Sequence, residues 1–298
     1  MAESQAIQFW NRKKGRIDAE AVYGDFFLRA LYETLPGQFL ADHLLSKPLF
    51  SKVYGRMQGS ALSRLKISSF IEKFDIPMEE FEEGPFSSFN QFFIRQFKPG
   101  VRNFVMDSAT FPAPAEARYF AYKAVSAKQG LPVKGRFLSI EGLLDNEMLA
   151  QEFDQGPVLL ARLCPVDYHR FHFPDDGTVI RQYSVGGALH SVNPVALKYH
   201  SDILVTNERQ VSILETSSFG KIAYVEVGAL CVGKIIQTHS PDEGFKRGAE
   251  KGYFLFGGST VVVLGQPGKW APEEDLIQQT IAGRETLVEL GTAVGHRI

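Results

Sequence analysis

From residue 100 onward the apolar residues come in short runs that Gly, Asn, Asp and Pro keep interrupting, and this punctuation constrains the fold more than any other feature of the chain. The runs cover 119–125, 158–163, 179–185, 210–215, 222–227, 231–237, 253–256 and 260–264. Short strands with turn signals between them predict a mainly antiparallel β domain. Residues 17–98 read differently. Val22, Phe26, Phe27, Ala30 and Leu31 recur at three- and four-residue steps, and Pro36-Gly37 stops that run. A second helical pattern covers 47–74 and ends before Pro77. The expected architecture is therefore α+β, an N-terminal helical region over 1–100 followed by a mainly antiparallel, β-rich domain over 101–298. No repeat and no Pro/Ser-rich linker marks the boundary.

Composition removes whole classes of function. With 298 residues, 44% hydrophobic and 22% charged, the chain is neither disordered, collagen-like nor a coiled coil. Lys and Arg number 32 against 34 Asp and Glu, so nothing favours a nucleic-acid partner. Cys164 and Cys231 form neither a disulfide framework nor a zinc pattern, and a reduced, cytosolic setting is expected. No metal is expected. The N-terminus lacks the apolar region of a signal peptide. The charge-free stretch 252–268 is shorter than the ~20 residues of a spanning helix and contains Pro267, so no transmembrane helix is expected. Phe is in surplus, 24 against 2 Trp, which suits a core or lipid contact.

Between residues 43 and 71 lie Lys47, Lys52, Arg56, Arg64 and Lys66 with no acid among them. Such a segment is either a domain-packing helix pair with a solvated basic face or an amphipathic surface for an anionic membrane, where each cation contributes about 1 kcal/mol.

Three constellations carry chemistry. Phe256-Gly257-Gly258-Ser259-Thr260 sits between two apolar runs, and two glycines before a hydroxyl allow Ser259 Oγ to bend back on the Gly258 carbonyl. That is the geometry of an N→O acyl shift, which needs a base and a polarised carbonyl. An ordinary Gly-Ser turn fits the same letters. Asp167-Tyr168-His169-Arg170-Phe171-His172 offers an acid and a base, or simply a loop of hydrogen-bonded histidines. Glu116, in Pro112-Ala113-Pro114-Ala115-Glu116-Ala117-Arg118, is either a solvated turn residue or the acid that orients a histidine.

On these residues the sequence resembles the phosphatidylserine decarboxylase family, in particular its bacterial GGST branch. The resemblance runs through PFSSFNQFFIRQFKPGVRN (85–103), PAPAEARY (112–119), ARLCPVDYHRFHFP (161–174), HSVNPVALK (190–198), TNERQVSILET (206–216), GKIAYVEVGALCVGKI (220–235) and RGAEKGYFLFGGSTVVVL (247–264). It implies a proenzyme that cuts itself between Gly258 and Ser259. The products are a β chain, 1–258, and an α chain, 259–298, that begins with a pyruvoyl group made from Ser259. That covalent cofactor takes the substrate amine as a Schiff base, so that phosphatidylserine becomes phosphatidylethanolamine and CO₂. The resemblance further implies His172 as the base for Ser259, His169 for the decarboxylation half of the cycle, and Glu116 as the triad acid. The family normally has Asp followed by Gly at that place; here Glu116-Ala117 stands, and one extra methylene asks for a shift of about 1 Å. A lipid substrate also turns the basic segment 43–71 toward an anionic membrane surface, with a peripheral location on the cytoplasmic side of the cell membrane. A homodimer is implied as well. Three alternatives stay open: a pyruvoyl-dependent decarboxylase of a soluble amino acid, an uncleaved lipid-binding relative, and a serine hydrolase using Ser259, His172 and Glu116.

Overall fold

The computed structural model describes residues 7–126, 131–133, 136–199, 202–230, 234–257 and 259–298. Gly258, half of the expected cleavage site, and Cys231 lie outside them. Among the described residues the fold is mixed α and β, built around a ten-stranded sheet. Its strands lie in the order Gly244–Phe245, Gly177–Val185, Arg209–Thr216, Gly220–Val227, Ser259–Gly265, Gly156–Leu163, Ala117–Val125, Glu285–Val288, Gln8–Asn11 and Arg16–Ala19. All neighbours are antiparallel except Gln8–Asn11 against Glu285–Val288. The central strands are apolar and β-branched because both faces are covered: every residue of Ser259–Gly265 and of Gly156–Leu163 is buried.

Two three-stranded sheets pack against this one. One joins Ile235–Gln237, Glu250–Phe254 and Arg170–His172, and its Phe171 meets Tyr224 of the large sheet with ring centroids 6.2 Å apart. The other joins Trp270–Pro272, Ala293–Arg297 and Thr110–Pro112. Trp270 lies so close over Gly265 that a Cβ there would sit 2.2 Å from the indole nitrogen, which leaves glycine as the residue that fits.

Most of the runs read from the sequence fall on strands extended by a residue or two, while 253–256 is shifted, its strand being Glu250–Phe254 with Leu255 and Phe256 beyond it. In 231–237 the strand is confined to Ile235–Gln237, with 231–233 outside the described residues. The N-terminal region is helical with corrections. Residues 16–19 are a strand, because Gln8–Asn11 and Arg16–Ala19 form a hairpin on the edge of the large sheet. Pro36-Gly37 does not stop a helix but lies in the first turn of a new one, Leu35–Leu40, capped by the Thr34 side chain on the Gly37 N–H. Gly37 is required there: a Cβ would lie 2.1 Å from the Ala30 carbonyl oxygen. The 47–74 pattern breaks at Gly59-Ser60 into Pro48–Gln58, a 3₁₀ turn Ala61–Lys66, and Ile67–Phe74, which ends on left-handed Asp75. A later helix, Glu274–Ile281, shows that helices are not confined to the N-terminal region.

Part of the Phe surplus is concentrated in Phe86, Phe89, Phe92, Phe93 and Phe97, and this Phe-rich run packs in the core rather than facing lipid. Phe89, Phe92 and Phe93, on the short helix Phe89–Phe93, are buried with Phe70, Phe81 and Phe256 in a second apolar cluster beside the main core. Several large apolar side chains elsewhere in the N-terminal region are exposed, Phe26 to 88%, Leu35 to 83%, Leu62 to 79% and Leu65 to 76%, while Leu31, Tyr32 and Leu45 are buried.

Candidate active site

The chain changes sheets between Phe254 and Ser259. Phe254 N–H donates to the His169 carbonyl (2.9 Å), Leu255 N–H to that of Lys234 (3.0 Å), and Ser259 then opens the central strand opposite Leu163. Gly257 adopts φ 144°, a conformation that residues with a side chain rarely take, which accounts for one of the two glycines in the sequence.

Leu163 ends its strand at the same place, and a tight turn follows. Asp167 N–H donates to the Cys164 carbonyl (2.8 Å), while the Asp167 carboxylate accepts the Cys164 N–H (2.7 Å). This reciprocal pair presents the Cys164 carbonyl to the ring of His169, whose Nε2 donates to it at 2.8 Å. A carbonyl oxygen only accepts, so Nε2 carries the proton and Nδ1 keeps a free lone pair. Nδ1 lies 3.3 Å from Ser259 Oγ. Both residues are fully buried, and the ring stacks on Phe93 with centroids 3.8 Å apart. Burial brings the His169 pKa down to about 3, helped by the nearby positive charge of Arg95 and opposed by the bond to Cys164. At neutral pH the ring is an uncharged base aimed at a hydroxyl, an arrangement suited to taking the Ser259 proton.

His172 stands elsewhere. Its Nδ1 donates to the Gly248 carbonyl (2.9 Å) and its Nε2 faces the Tyr168 hydroxyl at 3.4 Å, in a separate open cavity of about 340 Å³. Burial holds its pKa below the usual value. Glu116 meets neither histidine. Arg102 grips its carboxylate with two bonds, of 2.6 and 2.9 Å, and the Leu290 N–H adds a third at 3.2 Å. Burial raises the Glu116 pKa against the pull of Arg102. The residues singled out in the sequence are thus divided: Ser259 and His169 come together, and His172 and Glu116 each have other partners. The Cys164 carbonyl and the Phe93 ring, which orient the base, escaped the sequence reading. A main-chain acceptor leaves no residue signature; the Phe-rich run was the one available hint of the ring.

A buried ionic network backs the turn. Arg118 holds the Asp167 carboxylate and reaches Glu20, and Arg162 bridges Glu20 (2.6 Å) and Glu285 (2.6 Å). Burial pushes Glu20 up, but Arg162 and Arg118 outweigh it and bring its pKa down to about 2. Glu20 and Arg162 form the polar floor of a cavity of about 310 Å³ that begins at Gly257. Its walls are apolar, with Tyr23, Phe27, Phe50 and Tyr54 from the N-terminal helices. Phe50 and Tyr54 belong to the helix Pro48–Gln58, whose Leu49, Val53 and Met57 are exposed.

A family model described as phosphatidylserine decarboxylase matches residues 89–294. Curated proteins similar over nearly the whole chain include the phosphatidylserine decarboxylase proenzyme of Clostridium novyi (strain NT), 40% identical over 294 residues, which are 98% of this chain and 100% of that protein. The proenzyme of the same name from Ruminiclostridium cellulolyticum is 40% identical over 294 residues, with 98% of each chain covered. That of Chlamydia muridarum is 37% identical over 297 residues, with 99% of each covered. With most of its length matched by the family model and relatives of this identity from end to end, the chain belongs to the phosphatidylserine decarboxylase family of enzymes.

Proposed function

We propose that this chain is a proenzyme that cleaves itself between Gly258 and Ser259 and then converts phosphatidylserine to phosphatidylethanolamine and CO₂. The observation that carries the reading is the buried pair Ser259 Oγ and His169 Nδ1 at 3.3 Å, two residues after Gly257 with its φ of 144°. His169 takes the Ser259 hydroxyl proton as Oγ bonds to the Gly258 carbonyl carbon. The Gly258–Ser259 C–N bond breaks, and the proton passes to the freed amine, leaving an ester. His169 Nδ1, free again, takes the residue 259 α-proton as the Cβ–O bond breaks and the Gly258 carboxylate leaves; return of that proton to the enamine β-carbon gives an imine, which water hydrolyses to the carbonyl and ammonia. His169 rather than His172 serves the first of these steps, because Gly248 and Tyr168 engage both ring nitrogens of His172.

The surroundings of Ser259 suit a pyruvoyl group at that position: it is enclosed, bordered by a neutral imidazole and next to a cavity large enough for a head group. Such a group supplies an electrophilic carbonyl for the substrate amine and an electron sink for the departing carboxylate. The chain's own residues do the rest. The apolar walls of the cavity hold the glycerol and first acyl carbons, and its polar floor admits the head group. With the hydroxyl gone, the lone pair of His169 Nδ1 faces the position of residue 259, where it can take a proton from water and pass it to the substrate α-carbon. The two chains stay together, because Ser259–Gly265 and Glu285–Val288 each run between strands of the other chain.

The exposed apolar side chains of the N-terminal helices support peripheral binding to an anionic membrane, on its cytoplasmic side, with the helix Pro48–Gln58 between lipid and cavity. Among the described residues no helix is long and apolar enough to cross a membrane. The test is to supply phosphatidylserine vesicles and, separately, free amino acids, and to measure CO₂ and lipid amine product. CO₂ with phosphatidylethanolamine supports the reading; CO₂ from a free amino acid alone would replace the substrate, and no CO₂ from either would end it.

A further inference from the structure

Asn90 lies half-buried on the helix Phe89–Phe93, with both ends of its amide engaged across long stretches of sequence. Its Oδ1 accepts the Phe256 N–H at 3.1 Å, and its Nδ2 donates to the Gly55 carbonyl at 3.1 Å. An N–H on one side and a carbonyl on the other leave a single orientation of the amide, so the assignment is set by its neighbours. The helix is itself fixed. Ser88 caps it through the Gln91 N–H, the Phe89 N–H donates to Ser63 Oγ (2.8 Å), and Phe89, Phe92 and Phe93 are buried.

Asn90 holds Phe256, which among the described residues is the last one ahead of the expected scissile bond with a hydrogen-bonded N–H. Phe254 and Leu255 are tied by backbone bonds. From Phe256 the chain crosses to the large sheet through two glycines, which have no side chains with which to grip anything. The position of the crossing therefore rests on Phe256. Its ring packs against Phe89 (5.0 Å), Phe93 (4.9 Å) and Tyr54 (5.9 Å), and its N–H goes to Asn90. An attack by Ser259 Oγ requires a carbonyl carbon held within about 3–3.5 Å and correctly oriented, and an error of about 1 Å costs on the order of 100-fold in rate.

We propose that Asn90 is a positioning residue for self-cleavage, which fixes Phe256, two residues ahead of the expected cleavage site, against the helix Phe89–Phe93 and, through Gly55, the helix Pro48–Gln58. The inference rests on the reading that the chain cuts itself at Ser259. Asn90→Asp keeps an acceptor for the Phe256 N–H and loses the donor to Gly55; Asn90→Leu has nearly the same shape and loses both.

The experiment is cell-free synthesis of the full chain, with cleavage followed in time on SDS gels beside uncut Ser259→Ala and with thermal midpoints recorded for each variant. The expected result is cleavage slowed about 100-fold in Asn90→Leu and recovered to within about tenfold of wild type in Asn90→Asp. Asn90→Ala takes the place of Asn90→Leu should the latter not fold. Two results overturn the proposal: Asn90→Leu cutting at the wild-type rate, or Asn90→Asp cutting no faster than Asn90→Leu, the rates following the thermal midpoints alone. A wild-type chain that never cuts overturns the underlying reading, and this one with it.

Discussion

Ser259 Oγ and His169 Nδ1 stand 3.3 Å apart although ninety positions separate them in the chain, and the other nitrogen of the ring is spent on the Cys164 carbonyl. The turn Cys164–Asp167 is what brings the ring back to the head of the central strand. Removing the base should show this. His169→Gln is expected to slow self-cleavage by at least ~100-fold, the usual worth of a positioned base. His172→Gln, at the Gly248 and Tyr168 end, should slow it by less than ~10-fold. Cleavage time courses decide, and the reverse ranking would assign the base to His172.

The same burial gives a pH dependence. An unperturbed imidazole titrates near 6.5, whereas His169 is brought down to about 3 by burial. In the folded precursor the base is then uncharged over the whole range from pH 8 down to about 5, and the cleavage rate should not fall across it. A rate that halves near pH 6.5 contradicts an enclosed base. For stability the sign follows from the depressed folded value. The unfolded chain takes up the proton first, so this contribution is complete above about pH 6.5 and is lost as pH drops from there toward 3. The difference in denaturation midpoint between Ser259→Ala and Ser259→Ala/His169→Gln should therefore shrink as pH is lowered from 7 to 5.

Glu116 offers a sharper contrast, because the family resemblance assigns it to the triad and the structure assigns it to Arg102. Glu116→Gln keeps an acceptor for the Leu290 N–H and leaves Arg102 with Glu80 (2.8 Å) and Glu289 (3.6 Å). The expected cost is about 1–3 kcal/mol of stability with cleavage within ~10-fold of wild type. Loss of cleavage by ~100-fold or more at unchanged stability would restore Glu116 to a direct role.

The 3₁₀ turn Ala61–Lys66 carries two of the most exposed leucines of the chain, Leu62 and Leu65, beside Arg64 and Lys66. Leu62→Glu/Leu65→Glu should reduce co-sedimentation with anionic vesicles by at least ~10-fold and leave the thermal midpoint within a few degrees, since neither side chain packs in the core. Undiminished binding would place the lipid surface elsewhere.

The antiparallel strands were legible because alternation and turn residues are local signals, and the central run 260–264 became a strand covered on both faces. The edge hairpin Gln8–Asn11 and Arg16–Ala19 was not, because its support is the strand Glu285–Val288 at the far end of the chain. Ser259 and the histidine pair were visible as chemistry. Which histidine meets the serine depends on a main-chain turn and a carbonyl, and these leave no trace in residue type. The pairing of Arg102 with Glu116, fourteen positions away, has no local signal either, because both lie in irregular segments that meet only in the folded chain.

The most direct test of the account is the intact mass of the purified chain beside Ser259→Ala. The account predicts two polypeptides from the wild type, residues 1–258 and 259–298, the shorter opening on a pyruvoyl group and closed to Edman degradation, and one uncut polypeptide from the variant. A single wild-type polypeptide with the mass of residues 1–298 contradicts it.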